Sequence, residues 1–251
     1  MGWNENDGSL FAGTNPTTVT TDQDIASVLL STYPALTNQT ISRLLELYPR
    51  RDFPAEPAPL RGFNVSGEYF RASEMLRDIQ FTCPSIAFGH AVTQFGSAAW
   101  LYDLNQTALS SIFDQFGATW FGVSHISDVP YVFDNHPGHL LNWTASDQAL
   151  AKKVSGSWIA FAATGNPSHS TTTTNVLQDW PVAFDFDSSR RADNKNPAEV
   201  TVYVIGGPSP GAQHITNNSH GERKTGVLAV EDILRRCAFI NSAPFAAEIQ
   251  V

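Results

Sequence analysis

The residues with the clearest chemical potential lie in Phe121-Gly-Val-Ser-His-Ile-Ser-Asp-Val-Pro-Tyr-Val-Phe133, where His125 stands between two serines and three residues before Asp128. A neutral imidazole can take a proton from a hydroxyl and return it to a leaving group, provided a carboxylate holds its other ring nitrogen. The device therefore needs a base, an orienting acid and a hydroxyl presented by a rigid turn. A histidine in an apolar stretch is by itself more often a hydrogen-bonded structural residue, so the remaining parts decide the reading. Asp128 reads as a solvated or turn-capping carboxylate. Ser124 and Ser127 lie on a loop and lack the strand–turn–helix setting that exposes a nucleophile. The pattern Gly-x-Ser-x-Gly occurs once, at Gly207-Pro-Ser-Pro-Gly211, but Ser209 is followed by Pro210, which has no N–H to offer an oxyanion. Gly206 to Gly211 reads instead as a surface turn after a strand.

Asp134, His136 and His139 form a short His-x-x-His cluster. Pro137 and Gly138 between the histidines oppose a helical ligand face, and no second ligand cluster accompanies them, so no metal and no cofactor are expected. Trp120, Phe121, Tyr131 and Phe133 read as core or pocket-wall residues. The composition is globular, 42% hydrophobic and 16% charged, and a formal net charge of −9 with pI near 5.1 argues against nucleic acid or an anionic membrane as partner. No stretch approaches the roughly 18 consecutive apolar residues of a transmembrane helix. Met1-Gly-Trp-Asn-Glu-Asn-Asp-Gly8 lacks the basic and apolar regions of a signal peptide. Yet Asn-x-Ser/Thr sites start at Asn38, Asn64, Asn105, Asn142 and Asn217, which suits a secreted glycoprotein. A parent chain that has lost its signal would reconcile the two. The only cysteines are Cys83 and Cys237, whose spacing leaves buried thiols and a disulfide equally open.

The elements needed to position these residues mix helix and strand. Ile25, Val28 and Leu29 share a helical face after Asp22 and Asp24, with a stop near Pro34. Thr37 predicts the cap of a second helix through Ile41, Leu44, Leu45 and Tyr48, stopped by Pro49 and followed by an extended stretch with Pro54, Pro57 and Pro59. Glu68 to Leu76 and Ser85 to Phe95 read as helices, and Ala98-Ala-Trp-Leu-Tyr102 as a buried strand. Ser146 is expected to cap a long helix through Leu150, Val154, Trp158 and Phe161 that ends at Gly165-Asn-Pro167. The Thr171 to Thr174 run reads as a loop, Val200 to Ile205 as a strand and Val230 to Ile240 as a closing helix. Neither an internal repeat nor a domain boundary is evident over the 251 residues.

Taken together, five segments resemble, in order, the type-B carboxylesterase family, which includes cholinesterases and fungal lipases. Gly2-Trp-Asn-Glu-Asn-Asp-Gly-Ser-Leu-Phe11 is similar to the family's Asp-Glu-Gly-Ser/Thr segment, with Asp7 where the triad acid, usually Glu, would stand. Asp78-Ile-Gln-Phe-Thr-Cys-Pro84 and Arg236-Cys-Ala-Phe239 resemble segments carrying a family disulfide. Gly122 to Phe133 resembles the histidine segment, and Trp158 to Pro167 with Trp180-Pro181 the closing helix and its turn.

The resemblance implies an α/β fold: the C-terminal portion of an α/β-hydrolase, an incomplete, mostly parallel sheet with flanking helices, spanning residues 1–251 as one partial domain. It also implies His125 as general base, Asp7 as its orienting acid with Glu5 a weaker substitute, a Cys83–Cys237 bond, and carboxylic-ester hydrolysis as the reaction. In this fold the serine precedes acid and base, whereas Ser209 follows both. The nucleophile and oxyanion hole are thus expected on a preceding half, and the chain alone is expected to be inactive as a serine esterase. Ester substrates are the implied partners of the full-length, extracellular form. A non-catalytic, cholinesterase-like binding or adhesion module remains the other reading.

Overall fold

Three short strands lie side by side in the computed structural model, which describes residues 1–55, 62–135, 143–169, 175–185, 196–216 and 232–250. They are β1 (Gly2–Asn4), β2 (Tyr102–Leu104) and β3 (Glu199–Ile205). β1 pairs with β2 and β2 with β3, both in parallel, so that Gly2, Tyr102 and Tyr203 share a row. β4 (Gly211–Thr216) turns back antiparallel to β3 and gives the order β1-β2-β3-β4. Ser209 lies in the exposed turn of this last hairpin.

Parallel strands must be covered on both faces, and β3 shows how this is met. Val200, Val202 and Val204 pack into a core with helices α1 (Asp22–Thr32), α2 (Asn38–Leu47), α3 (Gly67–Arg77) and α4 (Cys83–Gln94). Helices α8 (Ile233–Ile240) and α9 (Ala243–Ile249) add Ile233, Cys237 and Phe245 to the same core. Tyr203 and Ile205 belong to a second core, where Leu104 and Trp180 meet Tyr131 of α6 (Val129–Val132) and Ala151 and Val154 of α7 (Ala145–Thr164). The fold is therefore α/β: a small, mostly parallel sheet with flanking helices. The remaining helix, α5 (Ser110–Gln115), follows β2.

Helix ends follow from local hydrogen bonding. Thr21 and Asp24 form a capping box at α1, and the hydroxyls of Thr37 and Ser66 accept the Thr40 and Tyr69 amides at α2 and α3. The expected cap of α7 at Ser146 is corrected to Thr144. Asp147 stands three residues beyond it, so the two side chains can satisfy each other's backbone N–H groups. Gly165 ends α7 in the left-handed conformation, as its sequence predicted. The strand expected over Ala98 to Tyr102 begins only at Tyr102. The carbonyl of Ala99 is taken by the Ala183 N–H, and that of Leu101 by the Tyr203 N–H and the Trp180 indole, which holds the run extended ahead of the ladder. Pro57, Pro59, Thr171 to Thr174 and Val230 lie outside the described residues.

Between α3 and α4 the chain makes a π turn, Asp78–Thr82. Cys83, just after it, is bonded to Cys237 of α8. Asp78 is fully buried beside this link. It accepts from the Tyr48 hydroxyl at 2.7 Å and from Arg77 Nη2 at 2.8 Å, with Arg236 Nη1 at 3.6 Å. Arg236 also pairs with Glu74 and lies 4.1 Å from the centre of the Tyr48 ring. Burying several charges is tolerable only when each is paired, and this cluster meets that condition.

Candidate active site

The chain leaves β1 at Asn4 and turns through residues 4–12 at the C-terminal end of the parallel strands, where α/β sheets place their ligand sites. The turn is laced to the segment after a 3-10 turn at Thr119–Phe121. The Asn6 N–H donates to the Val123 carbonyl at 3.0 Å, and Asn6 Oδ1 accepts from the Val123 N–H at 3.0 Å. Ser9 Oγ donates to the Phe121 carbonyl at 2.8 Å, and Asn4 Nδ2 to the Ser124 carbonyl at 3.0 Å. Gly122 has φ +57°, and a Cβ there would lie 2.3 Å from Asn6 Oδ1. Gly8 is needed for a different reason, because a Cβ would lie 1.8 Å from the Ser73 carbonyl oxygen of α3.

This lacing brings Asp7 and His125 together. Asp7 Oδ1 lies 2.8 Å from His125 Nδ1, and Asp7 Oδ2 accepts the Asn4 N–H at 2.9 Å. Burial pushes the Asp7 carboxyl above the ordinary aspartate range, outweighing the Asn4 N–H and His125, which act the other way; Asp128 adds to the rise. An ionised carboxylate only accepts, so it assigns the ring proton to Nδ1 and leaves the Nε2 lone pair free. Nε2 makes no hydrogen bond among the described residues. The His125 side chain is 41% exposed while that of Asp7 is 4% exposed. The imidazole stacks on Phe81 of the π turn at 4.9 Å and meets the Phe11 ring edge-on at 5.5 Å. Ile126, the next residue, has φ +70°, a strained conformation for a β-branched side chain.

The other expected residues fall elsewhere. Glu5 makes no hydrogen bond to His125. Asp128 is not a solvated cap. It is half-buried, receives the Asn4 amide at 3.5 Å and the Tyr102 hydroxyl at 3.4 Å, and makes no side-chain cap at α6. Its carboxylate and burial hold the Tyr102 phenol above its usual range, burial being the larger cause. Ser124 and Ser127 are buried: the first hydroxyl donates to the His125 carbonyl and the second pairs with Thr107. Among the sequons, Asn38 and Asn64 are exposed and Asn105 is half-buried against Gly207. Asn142 and Asn217 lie outside the described residues, as do His136 and His139. Among the described residues no cluster of three metal-ligating side chains occurs, and no helix is long and apolar enough to cross a membrane.

Sequence reasoning missed Asn4, Asn6, Ser9 and Phe81. Their polar or aromatic types gave no signal, because their partners lie far along the chain. A cavity of about 580 Å³ lined by Phe88, Trp100, Trp158, Phe161 and Trp180 is not part of this site. It also touches Met1 and Ser97 to Ala99, which precede β1 and β2, so it lies at the other end of the strands.

Comparisons with known proteins agree with this architecture. Over 255 residues the chain is 31% identical to a secreted lipase of Arthroderma benhamiae, an alignment covering 100% of the chain and 40% of the lipase. It is 28% identical over 244 residues to the inactive carboxylesterase-like protein VdtD of Byssochlamys spectabilis, covering 96% of the chain and 38% of that protein. The chain thus spans about 40% of the length of these curated relatives. The crystal structure of Aspergillus niger EstA superimposes on all of the chain and 40% of EstA with a TM-score of 0.63 at 18% identity, a likeness of fold. The model of the carboxylesterase family matches residues 55–200, and the chain belongs to that family.

Proposed function

We propose that this chain provides the base and acid of a carboxylic-ester-hydrolysing site, with His125 as general base and Asp7 as its orienting carboxylate. The observation that carries the reading is the 2.8 Å contact between Asp7 and His125 Nδ1, made at the C-terminal end of the strands with Nε2 open. In a serine hydrolase, Nε2 takes the hydroxyl proton as oxygen attacks the ester carbonyl, then gives it to the departing alcohol. Ser124 and Ser127 are engaged elsewhere, the serine precedes acid and base in this fold, and the chain spans about 40% of its curated relatives, so we assign the attacking serine and the oxyanion donors to residues outside these 251. The chain alone then has no serine-esterase activity. A fluorophosphonate should label none of its serines; covalent labelling of one, mapped by mass spectrometry, would overturn the reading. Similarity to a secreted lipase, together with the disulfide and the exposed sequons at Asn38 and Asn64, supports an extracellular glycoprotein as the parent form.

A binding module is the second reading. It is favoured by the name of the Byssochlamys relative, an inactive carboxylesterase-like protein, and by Asp7 being one methylene shorter than Glu. A module of that kind would keep its partner affinity after His125→Ala.

A further inference from the structure

We propose that His125 is itself a nucleophile toward activated aryl esters, so that this chain turns them over through an acyl-imidazole without any serine. The same two side chains serve as in the reading above, but the step goes beyond it and depends only on the local geometry. Asp7 holds Nδ1 at 2.8 Å and is itself fixed by the Asn4 N–H, so the lone pair stays on Nε2. Nε2 has no hydrogen-bond partner among the described residues, and the side chain is 41% exposed. Phe81 lies 4.9 Å from the imidazole on one side and Phe11, itself 39% exposed, lies 5.5 Å away on another. These rings offer apolar faces to an aromatic leaving group arriving at Nε2.

The step balances without any further reagent. The Nε2 lone pair forms a bond to the ester carbonyl carbon, and the carbon–oxygen bond to the aryl group breaks with its electron pair leaving on a phenolate. The acylated ring then carries positive charge, which the adjacent Asp7 carboxylate compensates. Water adds to the acyl carbon and loses one proton to solvent, the carbon–nitrogen bond breaks with its electron pair returning to Nε2, and the carboxylic acid leaves and gives its remaining acidic proton to solvent. No oxyanion donor beside His125 is used, so a good leaving group is required. Aryl esters with acidic phenols should therefore react while simple alkyl esters do not.

The test measures p-nitrophenyl acetate turnover by the folded 251-residue chain. His125→Ala should lower the second-order rate constant by about tenfold, and Asp7→Asn should lower it less, because the ring is no longer held with Nε2 free. A fluorophosphonate should leave the rate unchanged. A second measurement needs no variant. Diethyl pyrocarbonate is titrated onto the wild-type chain, and peptide mapping compares His125 with the other six of its seven histidines. Loss of turnover should track His125 modification alone, and hydroxylamine should restore both. Full turnover with His125 modified, or an unchanged rate in a folded His125→Ala variant, would overturn this inference and leave the serine-dependent reading standing. Turnover that the fluorophosphonate abolishes would overturn both.

Discussion

Asn6 holds the Val123 backbone at two successive peptide units, donating its N–H to the Val123 carbonyl and accepting the Val123 N–H on its Oδ1, each at 3.0 Å. The loops that carry Asp7 and His125 are joined at this point, 117 residues apart in the chain. Asn6→Ala should leave the Val123 amide without its acceptor and cost about 1–3 kcal/mol. Beyond that stability loss in urea titration, the hydrogen-bonded Nδ1 proton of His125 should broaden or vanish in NMR spectra, which a loss of stability alone would not cause.

Asp7→Asn should separate stability from chemistry. Burial raises the folded-state pKa of Asp7, so its contribution to stability is full below the ordinary aspartate value and falls as pH rises through the folded value. At pH 7 the charge is therefore a cost, and its removal should change stability by no more than about 1 kcal/mol. An asparagine NH₂ facing Nδ1 should instead shift the ring toward the Nε2–H tautomer, visible in the ¹⁵N shifts of His125.

Asp78 lies at 0% exposure among Arg77, Arg236 and Tyr48. Asp78→Ala removes the fully buried carboxylate from between Arg77 and Arg236, leaving Glu74 to serve both, and should cost about 3–5 kcal/mol, enough to threaten folding. Chemical denaturation of this variant should show a midpoint well below that of any single surface variant.

The α7 cap gives a pH dependence of opposite sign. Burial acts to raise the Asp147 pKa, but hydrogen bonds from Thr144, Tyr131 and Gln106 outweigh it and hold the carboxyl below its usual range. Its stabilisation is present above the unfolded aspartate value and is lost as pH falls through the lower folded value. Asp147→Asn should cost about 1–2 kcal/mol at pH 7, and the gap to wild type should close in acid.

The Cys83–Cys237 bond closes a sequence separation of 154 residues. On the chain-entropy account it contributes on the order of 5 kcal/mol. Reduction should detach α8 first, because this helix is otherwise held by packing and by Arg236. Hydrogen exchange in α8 should accelerate on reduction more than in α7.

Helices were legible in the sequence wherever the information is local. Thr21 with Asp24, Thr37 with Thr40, and Gly165 after α7 act within one turn, and side-chain type and spacing specify them. Thr144 with Asp147 carries the same signal, two residues before the expected cap at Ser146. β1 was not legible, because three residues containing a glycine show no strand period; pairing with β2 makes it a strand. The Asp78 cluster was equally hidden, since it joins Tyr48 just after α2, Glu74 and Arg77 of α3, the π turn and Arg236 of α8.

The sequence by itself determined the helix faces, the α2 cap, the family likeness, and a short set of carboxylates as candidate partners of His125. Which carboxylate meets His125 was decided by the tertiary structure. Asp7 faces Nδ1 across 118 residues because Asn4, Asn6 and Ser9 tie its turn to residues 121–124, while Asp128 is drawn toward Asn4 and Tyr102. Hydrogen bonding between distant backbone segments leaves no periodicity in either, so the chain must fold before Asp7 meets His125.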